Sequence, residues 1–161
     1  MKTIYIAGSF YRNNDSLEHD FRSHLLGDSE LLLHQNNESY VIWHGEKVKY
    51  IGPFFFYNDE KSLLPEQDNI VFTEKMMIDR CDIFISYFGK KSSPGSVAEL
   101  VYAASLHKPI EIFYLETDNG RAIKTEYWFP IVMSHYIDED VVKVIPVQCA
   151  NEFMEKLKAP L

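Results

Sequence analysis

Cysteine is scarce in this chain: two in 161 residues, Cys81 and Cys149. They lie far apart and fit no metal or redox spacing, so they read as free thiols in a reducing cytoplasm rather than a disulfide framework. Long apolar runs are missing too. The best, IFISYF and YIGPFFFY, stop well short of the roughly 18 residues of a bilayer span, so no membrane partner is expected. The opening MKTIYIAGSF lacks a long apolar core and a small-x-small cleavage site, and no secretory leader is expected. Positive charge is in deficit, with 16 Lys and Arg against 24 Asp and Glu and a net charge of −8. That argues against a nucleic-acid polymer as partner, since such binders show a basic face. It leaves room for a small anion, which feels only its local site. The six histidines (His19, His24, His34, His44, His107 and His135) show no ligand spacing, so neither a metal nor a cofactor is expected. There is no repeat, no low-complexity segment and no Pro/Gly-rich linker. A chain of this length fits one domain, residues 1–161, by the usual size of about 100–200 residues.

What the chain does have is an alternation of strand and helix patterns. TIYIA (Thr3–Ala7), ended by Gly8, reads as a buried first strand. Asp15–Leu26 carries Leu17, Phe21 and Leu25 at helical spacing, with Asn14 or Asp15 as cap and Gly27 as stop. YVIW, His44-Gly45-Glu46 and KVKYI make a hairpin over Ser39–Ile51, broken by Gly52-Pro53. Thr73–Arg80 reads as a helix and DIFISYF (Asp82–Phe88) as a second buried strand. Ser96–His107 is a helix with Val97, Leu100, Val101 and Ala104 on one face. PIEIFYL (Pro109–Leu115) and Val141–Val147 are further strands, and Asn151–Lys158 is a terminal helix. Ile123–Tyr136 is ambiguous between types. The alternation implies an α/β fold: a flavodoxin-like or Rossmann-like, doubly wound, mostly parallel sheet, with helices on both faces and an inserted β-hairpin.

Such sheets bind ligands beyond the carboxyl ends of their strands. Three loops meet there: Gly8–Asn14, Gly52–Glu60 and Gly89–Ser96. In the third, Ser92-Ser93-Pro94-Gly95-Ser96 runs into a helix whose N–H groups and dipole favour an anion. Ser93 and Ser96 add hydroxyls, Gly95 permits close approach, and Lys90 and Lys91 stand nearby. Glu99 ends the first turn, where the dipole favours its ionised form. A positioned carboxylate suits attack on a sugar's anomeric carbon. The same four residues, Ser96-Val97-Ala98-Glu99, also fit a capping box, in which Glu99 only ties off its own helix.

These pieces resemble the nucleoside 2-deoxyribosyltransferase superfamily, which includes the 2′-deoxynucleoside 5′-monophosphate N-hydrolases. The matching segments are Lys2–Ser9 (KTIYIAGS), Gly52–Phe55 (GPFF), Ile78–Ile85 (IDRCDIFI) and Pro94–Ile110 (PGSVAELVYAASLHKPI), in order over about two thirds of the chain. The last is the most specific. The hairpin and the final 50 or so residues are not covered. The resemblance implies that Glu99 is the nucleophile and that Tyr5 hydrogen-bonds and orients it. Where the family usually has an Asp eight residues before Asp82, this chain has Glu74, which becomes the candidate acid for the departing base, with Asp79 next. Where the transferases carry Asp six residues before the nucleophile, this chain has Ser93, as the monophosphate hydrolases do. A hydroxyl there accepts a 5′-phosphate that a carboxylate would repel. Gly8, Ser9, Phe10, Arg12, Phe54, Phe55, Ser93, Gly95 and Ser96 complete the expected substrate-binding set; Phe10, Tyr11 and Phe54–Phe56 are base-stacking candidates, of which at least half are expected to be plain core packing. The glycine-rich first loop of the hydrolases is absent; Phe10-Tyr11-Arg12-Asn13 stands there.

The expectation is a cytoplasmic enzyme that cleaves the N-glycosidic bond of a nucleotide or nucleoside, leaning to a 5′-monophosphate N-hydrolase. Two alternatives stay open: a base-exchanging transferase, and a module that senses a nucleotide without turnover. By analogy with the family, a homodimer or higher homo-oligomer is expected, with Tyr127–Tyr136 and its Ser134 as the contact.

Overall fold

A computed structural model describes residues 1–9, 19–33, 38–55, 65–89, 94–116 and 127–161. Among these residues six strands form one sheet in the order β2-β3-β1-β4-β5-β6. The strands are β1 (Thr3–Gly8), β2 (Ser39–Trp43), β3 (Glu46–Tyr50), β4 (Ile83–Phe88), β5 (Ile110–Leu115) and β6 (Val142–Val147). All neighbours pair in parallel except β2 with β3, the expected hairpin. Without β2 the order is that of a flavodoxin-like doubly wound sheet. The central strands are apolar throughout because both faces are covered: every residue of Ile83–Phe88 is buried.

The helices are α1 (Phe21–Leu26), α2 (Pro65–Arg80), α3 (Pro94–Ser105), α4 (Trp128–Ile137) and α5 (Ala150–Lys158). On one face Phe21 of α1 and Tyr87 of β4 meet Phe153 of α5, with ring centroids 5.5 and 4.7 Å away. The other face carries α2, α3 and α4 side by side. Successive side chains alternate across β1, so Ile4 and Ile6 serve the first face and Tyr5 the second.

Several expectations shift. The first helix starts at Phe21, because Asp20 takes the cap: its carboxylate accepts from the Arg22 N–H at 2.9 Å. The expected caps Asn14 and Asp15 lie outside the described residues. Gly27 does stop this helix, in the left-handed conformation at φ 83°. The second helix is longer than its periodicity suggested, beginning at Pro65 rather than Thr73. Residues 128–137 of the ambiguous segment are helical. On α3 the buried side chains are Ser96, Leu100, Ala103 and Ala104, while Val101 is exposed. Its inward stripe keeps Leu100 and Ala104 and takes in Ser96 and Ala103 in place of Val101, with α2 and α4 flanking the helix on both sides.

The hairpin tip reaches under the sheet, at the pole where the parallel strands begin. His44 and Gly45 adopt positive φ, and their N–H groups donate to the carbonyls of Leu157 and Lys158 at the end of α5. This clips an edge hairpin, otherwise stable only marginally, to the far side of the fold.

Candidate active site

Tyr5 lies in the middle of β1, fully buried, its ring stacked on Phe84 at 5.6 Å. Gly52 presses against it. A Cβ there would stand 2.6 Å from the Met77 sulfur and 3.0 Å from the Tyr5 ring, and its φ is +149°, so only glycine fits. The packed ring aims its hydroxyl at α3, where Tyr5 Oη donates to Glu99 Oε1 at 2.5 Å. Glu99 therefore reaches to the sheet. Ser96, already inside the helix at its third residue, is not in the N-cap position that the capping box requires.

Glu74, from α2, is the second carboxyl at this point. It is half-buried, and its side chain and that of Glu99 hydrogen-bond to each other. Two carboxyls in contact within a desolvated site share a proton. Burial pushes Glu99 up to about 7; the Tyr5 hydrogen bond opposes this and the Glu74 charge adds to it. Burial likewise raises Glu74, opposed by the Arg22 guanidinium and the bond to Glu99. The expectation that the helix dipole keeps Glu99 ionised is thus corrected: desolvation and a second carboxyl outweigh a dipole term of about 1 kcal/mol. Burial also raises Tyr5 well above the ordinary tyrosine value, so its hydroxyl remains a donor.

Asp79 does not join this group. It is exposed, and accepts from Tyr102 Oη at 2.5 Å and Lys75 Nζ at 3.0 Å. Those bonds, Tyr102 first, hold its carboxyl below the usual range. A carboxyl so stabilised as the anion is a poor acid for a leaving base. Asp82 caps the start of β1, accepting from the N–H and hydroxyl of Thr3 at 2.7 and 2.9 Å.

The expected binding residues divide. Gly8 serves packing: a Cβ there would meet the Phe21 ring at 2.9 Å. Ser9 is half-buried, and its carbonyl accepts from Arg22. Phe54 is a core residue, 7% exposed and edge-on to Tyr50 at 5.4 Å, so its ring has no free face of the kind a stacked base needs. Phe55 is half-buried, its ring over the Arg22 guanidinium at 4.8 Å. Gly95 is exposed and Ser96 buried at the start of α3. Phe10, Tyr11, Arg12, Phe56, Lys90, Lys91 and Ser93 lie outside the described residues. Ser134 is fully buried inside the protein, so it is not available to a neighbouring subunit.

Sequence reading passed over Arg22 and Asp20. Both are fully buried, 2.8 Å apart, beside the site. The signal available was an acid two residues before a basic residue at the start of a helix, which ordinarily means only a cap. No group of three or more His, Cys, Asp or Glu residues fit to hold a metal occurs among the described residues. No helix among them is long and apolar enough to cross a membrane.

No family model and no curated protein matches this chain. Solved structures do. The CMP N-glycosidase BcmB of Clostridium botulinum aligns over 97% of this chain and 98% of its own, at 17% identity and a TM-score of 0.53. The FeoB G-domain of Methanococcus jannaschii aligns over 98% and 94%, at 16% identity and a TM-score of 0.51. Two proteins so differently named match almost equally well, so the likeness speaks for architecture and the site must speak for chemistry. The chain has the doubly wound α/β fold that these two proteins share.

Proposed function

We propose that the chain cleaves the N-glycosidic bond of a nucleotide or nucleoside through a glycosyl ester on Glu99. One observation carries this reading: a buried tyrosine hydroxyl donates to Glu99 while a second carboxyl, Glu74, is hydrogen-bonded to it. One proton on two carboxyls supplies an anion and an acid at once. The contact between them raises Glu99 and lowers Glu74, so the proton rests on Glu99 in the free site; the Tyr5 hydroxyl, which lowers Glu99, favours the arrangement that the reaction uses, with the anion on Glu99 and the acid on Glu74.

The Glu99 carboxylate attacks C1′. The C1′–N bond breaks, its electron pair leaves with the base, and Glu74 delivers the proton to that base. Glu74, now ionised, takes a proton from water as its oxygen attacks C1′. The ester C1′–O bond breaks and the Glu99 carboxylate is restored. A second base in place of that water would give transfer.

The likeness of fold to a CMP N-glycosidase supports the same reaction class. The preference for a 5′-monophosphate rests on Ser93 and on the N-terminus of α3. Residues 1–161 act as one domain, in the cytoplasm, as a homo-oligomer. Its contact is α4, whose Trp128, Phe129, Met133 and Tyr136 are exposed, a cluster unusual on a surface that stays free.

The test is incubation with ribo- and deoxynucleoside monophosphates and with the nucleosides, following free base by chromatography. Base release that disappears in Glu99→Ala is expected, with monophosphates preferred. Release only from unphosphorylated nucleosides, with a new nucleoside formed when a second base is added, would make it a transferase. Binding without release from any substrate would leave a sensing module.

A further inference from the structure

Arg22 is the largest fully buried side chain of the described residues, yet it is charged. Burying a guanidinium is costly unless its donors are met. Here all of them are. Nε and Nη2 form a two-pronged pair with the Asp20 carboxylate, both at 2.8 Å. Nη1 donates to the carbonyls of Ile6 and Gly8 at 3.3 and 3.1 Å, and Nη2 to that of Ser9 at 3.5 Å. A guanidinium has five N–H donors, and these five contacts use them all. The flat group also lies against the rings of Phe21 at 4.5 Å and Phe55 at 4.8 Å.

No donor is left for a ligand, so Arg22 does not grip a substrate phosphate. What it does is join three segments at the carboxyl end of β1: the strand end with its loop entrance, the start of α1, and the 52–55 segment that packs on Tyr5. Its charge also acts on the two carboxyls. The titratable groups around it are Asp20 on its own element, Glu99 on α3, Glu74 on α2 and Tyr50 on β3. Tyr50 is buried, with its hydroxyl on the Pro53 carbonyl at 2.5 Å. The guanidinium lowers Glu74 and Glu99 against the raising effect of burial.

We propose that Asp20–Arg22 is the positioning element of this site: it fixes the end of β1 and the 52–55 segment, whose Gly52 packs on Tyr5, and its buried cation acts on the Glu74–Glu99 pair. This rests on the proposed glycosidase reading, but its test does not need turnover. The melting temperature of the protein and of Glu99→Gln is measured across pH 4 to 9, and the midpoint of the growing gap between them reports the ionisation of the pair. The comparison is repeated in Arg22→Gln, Arg22→Lys and Asp20→Asn backgrounds.

Arg22→Gln removes the cation and moves the midpoint up by about 1 pH unit. Asp20→Asn keeps the cation and removes its compensating charge, so the midpoint moves down. Arg22→Lys leaves the midpoint in place but loses the fork geometry. In base release, Arg22→Lys lowers kcat tenfold or more, by the usual cost of a small misplacement. The ratio of KM values for phosphorylated and unphosphorylated substrates stays unchanged. If Arg22→Gln does not fold, the sign of the Asp20→Asn shift decides. A midpoint unmoved in Asp20→Asn, and in Arg22→Gln where that variant folds, overturns the electrostatic role. A KM ratio that collapses in Arg22→Lys shows a phosphate ligand instead and overturns the positioning role. Absence of base release from the parent protein would refute the glycosidase reading while the titration still decides the part played by Arg22.

Discussion

Two glutamates sit at opposite poles of one sheet, and their surroundings differ in kind. Glu111, on β5 at the pole where the hairpin tip tucks in, is 4% exposed. It accepts from Trp43 Nε1 at 3.2 Å and pairs with His44 Nε2 at 2.8 Å, with Lys143 Nζ at 4.0 Å. The other ring nitrogen of His44 meets the Ala159 carbonyl at 2.9 Å. This carboxylate is surrounded by donors that tie three elements together. Among the described residues Glu99 has a single hydroxyl donor and a second carboxyl for company. A buried acid supplied with donors is a fastening. A half-buried acid set against another acid is held away from its preferred ionisation state, and such sites cluster where chemistry is done.

The comparison breaks most clearly in a pair of isosteric changes. Glu99→Gln should cut base release by about 10⁴-fold or more, the scale of losing a nucleophile. Glu111→Gln should leave kcat/KM within about twofold, because it lies at the pole away from the chemistry. Steady-state kinetics on both variants would show it, and a loss of similar size in both would erase the distinction. Next is Glu111→Ala, which strands the donors of Trp43 and His44. It should cost about 3 kcal/mol of stability by denaturant titration, with little change in activity per folded molecule.

Tyr5→Phe comes third. It removes one charge-assisted hydrogen bond and keeps the ring on Phe84, so kcat should fall about 10- to 100-fold with stability nearly unchanged. An undiminished rate would mean that Tyr5 only fills space. The smallest effect is in the pH dependence of stability. Glu99 titrates at about 7 in the fold against an ordinary 4.5, a raised value. The stabilisation of its neutral form is therefore complete below about pH 4.5 and lost as pH climbs to about 7. Gln imitates the neutral acid at every pH. Glu99→Gln should match the parent at pH 4 and exceed it at pH 8 by about 2 kcal/mol, the roughly 3.4 kcal/mol of such a shift being reduced because solvent reaches this half-buried carboxyl. A gap that widens toward acid instead would mean that Glu99 is stabilised as an anion.

The elements themselves were largely legible. Short, nearly continuous apolar runs marked β4 and β5, Gly45 after His44 marked the hairpin, and Gly27 marked the stop of α1. These are local signals, each written within a few residues. The start of α1 was misplaced because the cap was chosen by its neighbours in the chain, whereas Asp20 was fixed by Arg22 and the carbonyls of β1. Val101 was assigned inward by spacing alone. Helical spacing gives a stripe but not its bearing when flanking helices press from both sides. Phe54 and Asp79 were offered to the substrate because residue type is compatible with either role; packing against Tyr50 and bonding to Tyr102 gave them other work.

By itself the sequence determined the order of strands and helices, the hairpin, and a short set of residues around Tyr5, Glu74 and Glu99. Only the tertiary structure decided which way Glu99 turns, that Glu74 rather than Asp79 hydrogen-bonds to it, and that the Arg22 charge acts on both. The physical reason is that propensity and periodicity are summed along the chain, while desolvation and charge act through space. Glu99 and Tyr5 are 94 residues apart in sequence and one hydrogen bond apart in the fold.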